Sequence, residues 1–287
     1  MTLMSNHEIR RNLGILYQEE SEKGLTHPFF VLILNAFMEE AKAHGYDITF
    51  IHHPLESMEE PLTDHCQRLG VDGLCMVCGD FAHQKVKDLI RSGFPCVSVD
   101  HIFRGMPAVL SDNETGVRKL VEYAISRGHQ RIAFIHGHNN SLVTRTRISQ
   151  FRNTMEYYHL PVPETFLREG LYHDIGGTRN LVREMLNLRE PPTCILLPDD
   201  MTYFGAQEAA RDCSLRIPED ISFTGYDGIP LTQALTPRLT TVRQNSDTMG
   251  KIAAVRLIDL VEHPEAASRK PTIYPVELLE GETVASL

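Results

Sequence analysis

Short apolar runs alternate with stretches of mixed polarity along almost the whole chain. The runs predict strands at Asn12–Tyr17, Asp47–His52, Gly73–Cys78, Cys96–Asp100, Ala108–Ser111, Arg131–His136, Thr165–Glu169, Thr193–Leu197, Ile221–Tyr226 and Thr240–Gln244. Most carry unbroken apolar triplets, such as Cys194-Ile195-Leu196, rather than strict alternation, as strands covered on both faces do. Between them apolar residues recur at helical period. Phe30, Ile33, Leu34, Phe37, Met38 and Ala41 form one stripe, and Phe29 falls off it. Thr26-His27-Pro28 opens this helix with a cap and a first-turn proline, and Gly45 closes it. Further helices fall near 58–69, 82–92, 114–127, 144–159, 175–187, 200–212 and 247–263. Repeated strand–helix alternation predicts an α/β protein with doubly wound parallel sheets and right-handed crossovers. Ten or so strands divide best into two sheets of about five or six.

A length of 287 residues agrees with two domains or one large one. The formal charge of −10 argues against a chain that grips nucleic acid by itself, because phosphate binding needs concentrated cationic surface. No apolar run reaches the 18 or more residues of a membrane span. The opening residues have neither the apolar core nor the cleavage site of a secretory signal, so a soluble, cytoplasmic protein is expected. The six cysteines are spread thinly and do not suggest a disulfide framework. Cys75 and Cys78 lie three apart on a strand, where their sulfurs should diverge to opposite faces. Neither His52-His53 nor His136-Gly137-His138 has the spacing that aligns two ligands on a helix, and no metal or cofactor is expected. No Walker-type loop, Gly-x-Gly-x-x-Gly or Gly-x-Ser-x-Gly is present.

Ligands of doubly wound sheets sit beyond the carboxyl ends of the strands. The residues just after each strand are therefore the first candidates: 26–30, Asp100-His101, Asp112-Asn113, 138–147, Tyr172, Asp199-Asp200 and Asp227. Aromatics, carboxylates and the arginines Arg145 and Arg147 suit a polyhydroxylated or heterocyclic small molecule. Each also has a plainer reading. Phe29-Phe30 can be core, the arginines solvated, Asp227 a turn residue. One of Asp199 and Asp200 reads as an N-cap, leaving the other free.

The order of motifs resembles the effector-binding core of LacI/GalR-type bacterial transcription regulators, related to type I periplasmic sugar-binding proteins. His27-Pro28-Phe29-Phe30 stands where that family commonly has Asn-Pro-Phe-Phe. Arg68–Leu74, Ser111–Gly116, Arg127–Ile135, Thr144–Phe151, Leu197–Asp200, Arg216–Asp227 and Leu235–Gln244 follow in the family's order. The match covers about 12–283.

The resemblance implies two α/β subdomains of periplasmic-binding-protein type I, joined by three crossovers, with the effector in the cleft. By analogy residues 12–128 plus 243–268 form an N-subdomain and 129–242 plus 269–287 a C-subdomain. Residues 1–11 read as a tail left by trimming a longer chain. The pocket positions would be Phe29, Phe30, Arg147, Tyr172, Asp199 and Asp227, with Asp100, Asp112, Asn113 and Ser141 as weaker rim candidates. Asp199 replaces the Asn of many relatives, which makes the pocket acidic and favours a neutral sugar or an amine over a phosphate-bearing ligand. The family's mechanism implies closure of the cleft over a small-molecule effector, a sugar or related polyol, that controls DNA binding. Operator DNA would be reached only through an N-terminal domain missing from this chain, the family's helix-turn-helix or another module such as a winged helix. The helix at 246–263, with Ile252, Val255, Ile258 and Val261, is either part of a homodimer interface or fully buried in its own subdomain. No membrane partner is expected. A transporter's solute-binding receptor shares the fold and is the rival reading. An enzyme would need a nucleophile or phosphate loop that the sequence lacks.

Overall fold

The computed structural model describes residues 10–18, 27–52 and 54–287. Most of the 1–11 tail, the Thr26 cap and His53 lie outside the described residues. The elements begin with β1 (Asn12–Tyr17), α1 (Pro28–Ala43), β2 (Asp47–Ile51), α2 (Leu62–Arg68), β3 (Gly73–Cys78), α3 (Gln84–Arg91), β4 (Cys96–Val99) and β5 (Ala108–Ser111). Next come α4 (Asn113–Ser126), β6 (Ile132–His136), α5 (Leu142–Tyr157), β7 (Leu167–Glu169), α6 (Ile175–Leu186), β8 (Cys194–Leu196), α7 (Tyr203–Asp212) and β9 (Ser222–Asp227). The last are α8 (Pro230–Gln233), β10 (Thr240–Arg243), α9 (Ser246–Glu262), β11 (Thr272–Tyr274) and β12 (Glu277–Leu279).

Two compact units result. One runs to Leu110 and resumes over Ser246–Tyr274; the other comprises Ser111–Asn245 and Pro275–Leu287. The chain passes between the units after Leu110, Asn245 and Tyr274. Helix α4 belongs to the second unit because its Val117, Leu120, Val121 and Ala124 pack with Phe151, Met155 and Val242.

The first unit holds a six-stranded sheet in the order β11-β5-β4-β3-β1-β2, with β2, β1, β3, β4 and β5 parallel to their neighbours. Leu13, Ile15 and Tyr17 face the side covered by α1 and α9, while Leu16, Leu74 and Met76 face α2 and α3. Burial on both sides explains the unbroken apolar runs. The β1–β3 register shifts after Leu16 and pairs Tyr17 with Cys78. Cys78 packs against the same cluster as Cys75, so the two residues do not part to opposite faces as simple alternation predicts. The thiols of Cys66 and Cys194 are pushed up to about 12 by burial, as inert core thiols are.

In α1 the sequence expectation for the two phenylalanines is reversed. Phe29, Ile33 and Phe37, spaced by four, are buried, whereas Phe30 is only partly covered. Starting the helix at Pro28 turns Phe29 onto the sheet and leaves Phe30 beside it.

The second unit repeats the design, in the order β12-β10-β9-β8-β6-β7. All neighbours are parallel except β12, which runs antiparallel to β10. Ala133, Ile135, Ile195 and Phe223 meet α6 and α7 on one face; Ile132, Phe134, Leu196 and Val242 meet α4 and α5 on the other. No described helix is long and apolar enough to cross a membrane.

Candidate functional site

The chain order reverses direction in the second sheet between β6 and β8. Beyond the carboxyl ends of these two strands their connections part to opposite faces, leaving a crevice that backbone cannot fill. Arg147, one turn into α5, reaches this point and is only 4% exposed. Its Nε donates to Asn113 Oδ1 at 2.7 Å and Nη1 donates to the Pro198 carbonyl, just past β8, at 3.1 Å. The guanidinium carbon stands 3.5 Å from the centroid of the Tyr226 ring. A buried cation stacked on an aromatic face gains from the ring's quadrupole, and the two acceptors fix the plane of its guanidinium. The Tyr226 hydroxyl comes so close to α4 that a Cβ at Gly116 would overlap it, so the glycine at that position is sterically required.

The other candidates converge on the same edge. Tyr172, three residues past β7, lays its ring over Gly137, where any Cβ would collide with Cε2. Its hydroxyl shares a 2.9 Å hydrogen bond with Thr144 Oγ1, and burial pushes the phenol pKa up. Asp227 ends β9 with φ of 114°, a conformation that costs a non-glycine residue energy and persists where surroundings impose it. Gln244 Nε2 donates to Asp227 Oδ1 at 2.7 Å. Burial, then the charge of Asp199, raise the Asp227 carboxyl well above the usual range, and Arg147 opposes the rise.

Neither aspartate of the 199–200 pair is free. Asp199 Oδ1 accepts from the Thr202 amide at 2.8 Å and Oδ2 from the His173 amide at 2.7 Å, shaping the turn before α7. Asp200 is fully buried and accepts from the Ile229 amide, the Thr232 hydroxyl and the Thr241 hydroxyl at 2.9, 2.8 and 2.5 Å. Burial pushes its carboxyl up to about 7 although the three donors pull it down. It braces β9, β10 and α8 from beneath the site. The weaker rim candidates divide. Asn113 belongs to the site through Arg147, and its Nδ2 also donates to the Ser111 carbonyl at 3.1 Å. Asp112 and Ser141 are N-caps, accepting from the Thr115 amide at 2.9 Å and the Thr144 amide at 3.0 Å. Arg145 turns away to the carbonyls of Asn139 and Asn140.

The first unit has its own reversal, between β1 and β3. There Phe30 meets Tyr17 edge to face at 6.0 Å, whereas Phe29 is core. Asp100 follows β4 with φ of 54°. Sequence reasoning missed Gln244, Tyr226 and the bracing role of Asp200. The predicted strand ran through Gln244, whereas β10 ends at Arg243 and leaves Gln244 just past it.

These features match a known family. The profile described as Periplasmic binding protein-like domain covers residues 121–284. The HTH-type transcriptional repressor PurR of Haemophilus influenzae is 28% identical over 244 residues, 83% of this chain and 71% of the relative. The ribose operon repressor of Escherichia coli is 27% identical over 263 residues, 89% and 78% of the two chains. The crystal structure of a regulatory protein of LacI family from Chloroflexus aggregans superposes with a TM-score of 0.83 at 25% identity, covering 96% of this chain and 98% of that one. The chain belongs to the periplasmic binding protein-like domain family. Its relatives there are transcriptional regulators, and it is an effector-sensing core of that kind.

Proposed function

We propose that the switch-point residues of the second unit, Arg147, Tyr172, Asp199 and Asp227, hold a small polyhydroxylated effector, a sugar or related polyol. Phe30 is the corresponding candidate in the first unit, with Asp100 at its rim. The observation that carries this reading is Arg147: a buried guanidinium, braced by Asn113, Pro198 and Tyr226, presenting a fork where parallel sheets keep their ligands. Tyr172 supplies a ring face, Asp227 an acceptor on a constrained backbone. Asn113 and Gln244 join the set as the groups that position Arg147 and Asp227.

In this reading the effector shifts the population between two arrangements of the units, and a separate DNA-binding domain reads the shift. The charge of −10 supports leaving operator contact to such a domain. The relatives' names support regulation over transport and over catalysis. A homodimer in the cytoplasm completes the proposal. Within α9, Ile258, Ile252 and Val261 belong to the core of the first unit, which leaves Val255, with Leu32 of α1, exposed for a second copy.

A thermal-shift screen of sugars, polyols, amino sugars and purines tests the assignment. A ligand of the site raises the melting temperature of the wild type, and Arg147→Ala and Asp227→Ala each abolish the shift while still melting cooperatively. A shift retained in both variants overturns the site.

A further inference from the structure

At the second unit's switch point Asp199, Asp200 and Asp227 bring carboxyl groups together with the His173 imidazole and with Arg147, the one buried guanidinium among the described residues. The His173 ring stands beside Asp199, Nε2 4.0 Å from Oδ2, and the Tyr172 hydroxyl is engaged by Thr144. Asp199 and Asp200 receive their donors from the protein. Asp227 differs. Its Oδ1 accepts from Gln244 Nε2, and no other hydrogen bond among the described residues reaches its side chain. Gln244 is 3% exposed, and its Oε1 is buried with no hydrogen-bond partner. With Asp227 ionised, turning the amide over would set its oxygen against the carboxylate, so a ligand that keeps Asp227 ionised also finds Oε1 unmet by the protein. An orphaned buried acceptor beside a carboxylate with capacity to spare, fixed to each other at 2.7 Å, asks for a group with several donors.

Resting on the effector site assigned above, we propose that the effector is an aminated polyol whose protonated amine is seated on Asp227 and Gln244. An ammonium has three donors and no acceptor, so it serves both oxygens and leaves no lone pair of its own unmet. A pair of hydroxyls could donate to the same oxygens, but would bring no positive charge to a carboxyl that burial and Asp199 push toward its neutral form, whereas an ammonium holds it ionised.

The test uses matched ligands on the full chain near neutral pH: glucose, glucosamine and N-acetylglucosamine, with the galactose and mannose series alongside, by isothermal titration calorimetry. The expected result is an amine at least tenfold tighter than its hydroxyl parent in one series, with the acetylated member no better than that parent. Asp227→Asn should bring amine and parent to within a factor of about three. A parent sugar that binds as tightly as its amine overturns the amine and leaves the effector site standing. Binding that survives Arg147→Ala removes the site assignment itself, and silence from every series overturns both.

Discussion

Arg147 and Asn113 meet through a single 2.7 Å hydrogen bond, Nε to Oδ1, between the first turn of α4 and the second turn of α5. Both side chains are buried, and Nδ2 of the same asparagine holds the Ser111 carbonyl. The guanidinium is thereby fixed on one side, and Nη1 is held by the Pro198 carbonyl. Arg147→Lys keeps the charge but loses the Nε contact and the planar stack on Tyr226. It should weaken any ligand of the site at least tenfold while preserving the fold. Calorimetric titration of both proteins with the best ligand of the screen checks this. Equal affinity in the lysine variant would mean that the fork is not used.

Asp200 has the opposite character, since every contact it makes is internal. Asp200→Ala strands the Ile229 amide, which has no freedom to turn elsewhere, and cuts the ties from β9 to β10 and α8. A loss of about 1–3 kcal/mol is expected, read as a lower urea midpoint at unchanged slope.

The same residue makes stability depend on pH. Its carboxyl is pushed up to about 7 in the folded protein from an ordinary value of 3.8, so between those limits the native state holds the extra proton. Stability therefore falls as pH rises from about 4 to about 7, with a slope of at most about 1.4 kcal/mol per pH unit for this one group, and levels off above. Asp227 acts in the same direction. Urea midpoints measured between pH 4.5 and 8.5 should show the decline, and Asp200→Asn should flatten it. A midpoint that climbs through this window would contradict the assignment.

Gly137→Ala places a methyl into the Tyr172 ring. The ring must leave its seat or the 136–141 loop must shift, at about 1–3 kcal/mol. Ligand affinity should fall with it. Tyr172→Ala in the same background should restore much of the lost stability without restoring binding, which separates the steric conflict from the contact with ligand.

Val255→Asp tests the proposed homodimer. Val255 is 39% exposed on α9, so a carboxylate there costs the isolated chain little but opposes burial against a second copy. Sedimentation should show a dimer for the wild type and a lighter species for the variant. A wild type that is monomeric at tens of micromolar ends that proposal.

The strands were legible because both sheets are covered on both faces, and an apolar run such as Gly73–Cys78 admits few other readings. The short edge strands β11 and β12 were not. Three residues each and largely uncovered, they carry no apolar pattern and exist only through pairing with distant partners. The proposed site was half legible. Position after a strand selected Arg147, Tyr172, Asp199 and Asp227, because the topology of parallel sheets puts ligands there. It could not tell Phe29 from Phe30, since one residue of helix phase decides which ring is buried. Nor could it tell a cap from a side chain that positions another: Asp112 and Asn113 are neighbours in sequence, yet one closes a helix end and the other holds the arginine.

The chain enters the second unit at Ser111, and Asn113 links that entry strand to Arg147 through its two amide atoms. The backbone that carries the polypeptide out of its first unit is thus two hydrogen bonds away from the group proposed to read the effector. The link runs from the last residue of β5 through the first residue of α4 to the second turn of α5. If the proposed site holds, a ligand seated on Arg147 bears by the same route on the connecting peptide.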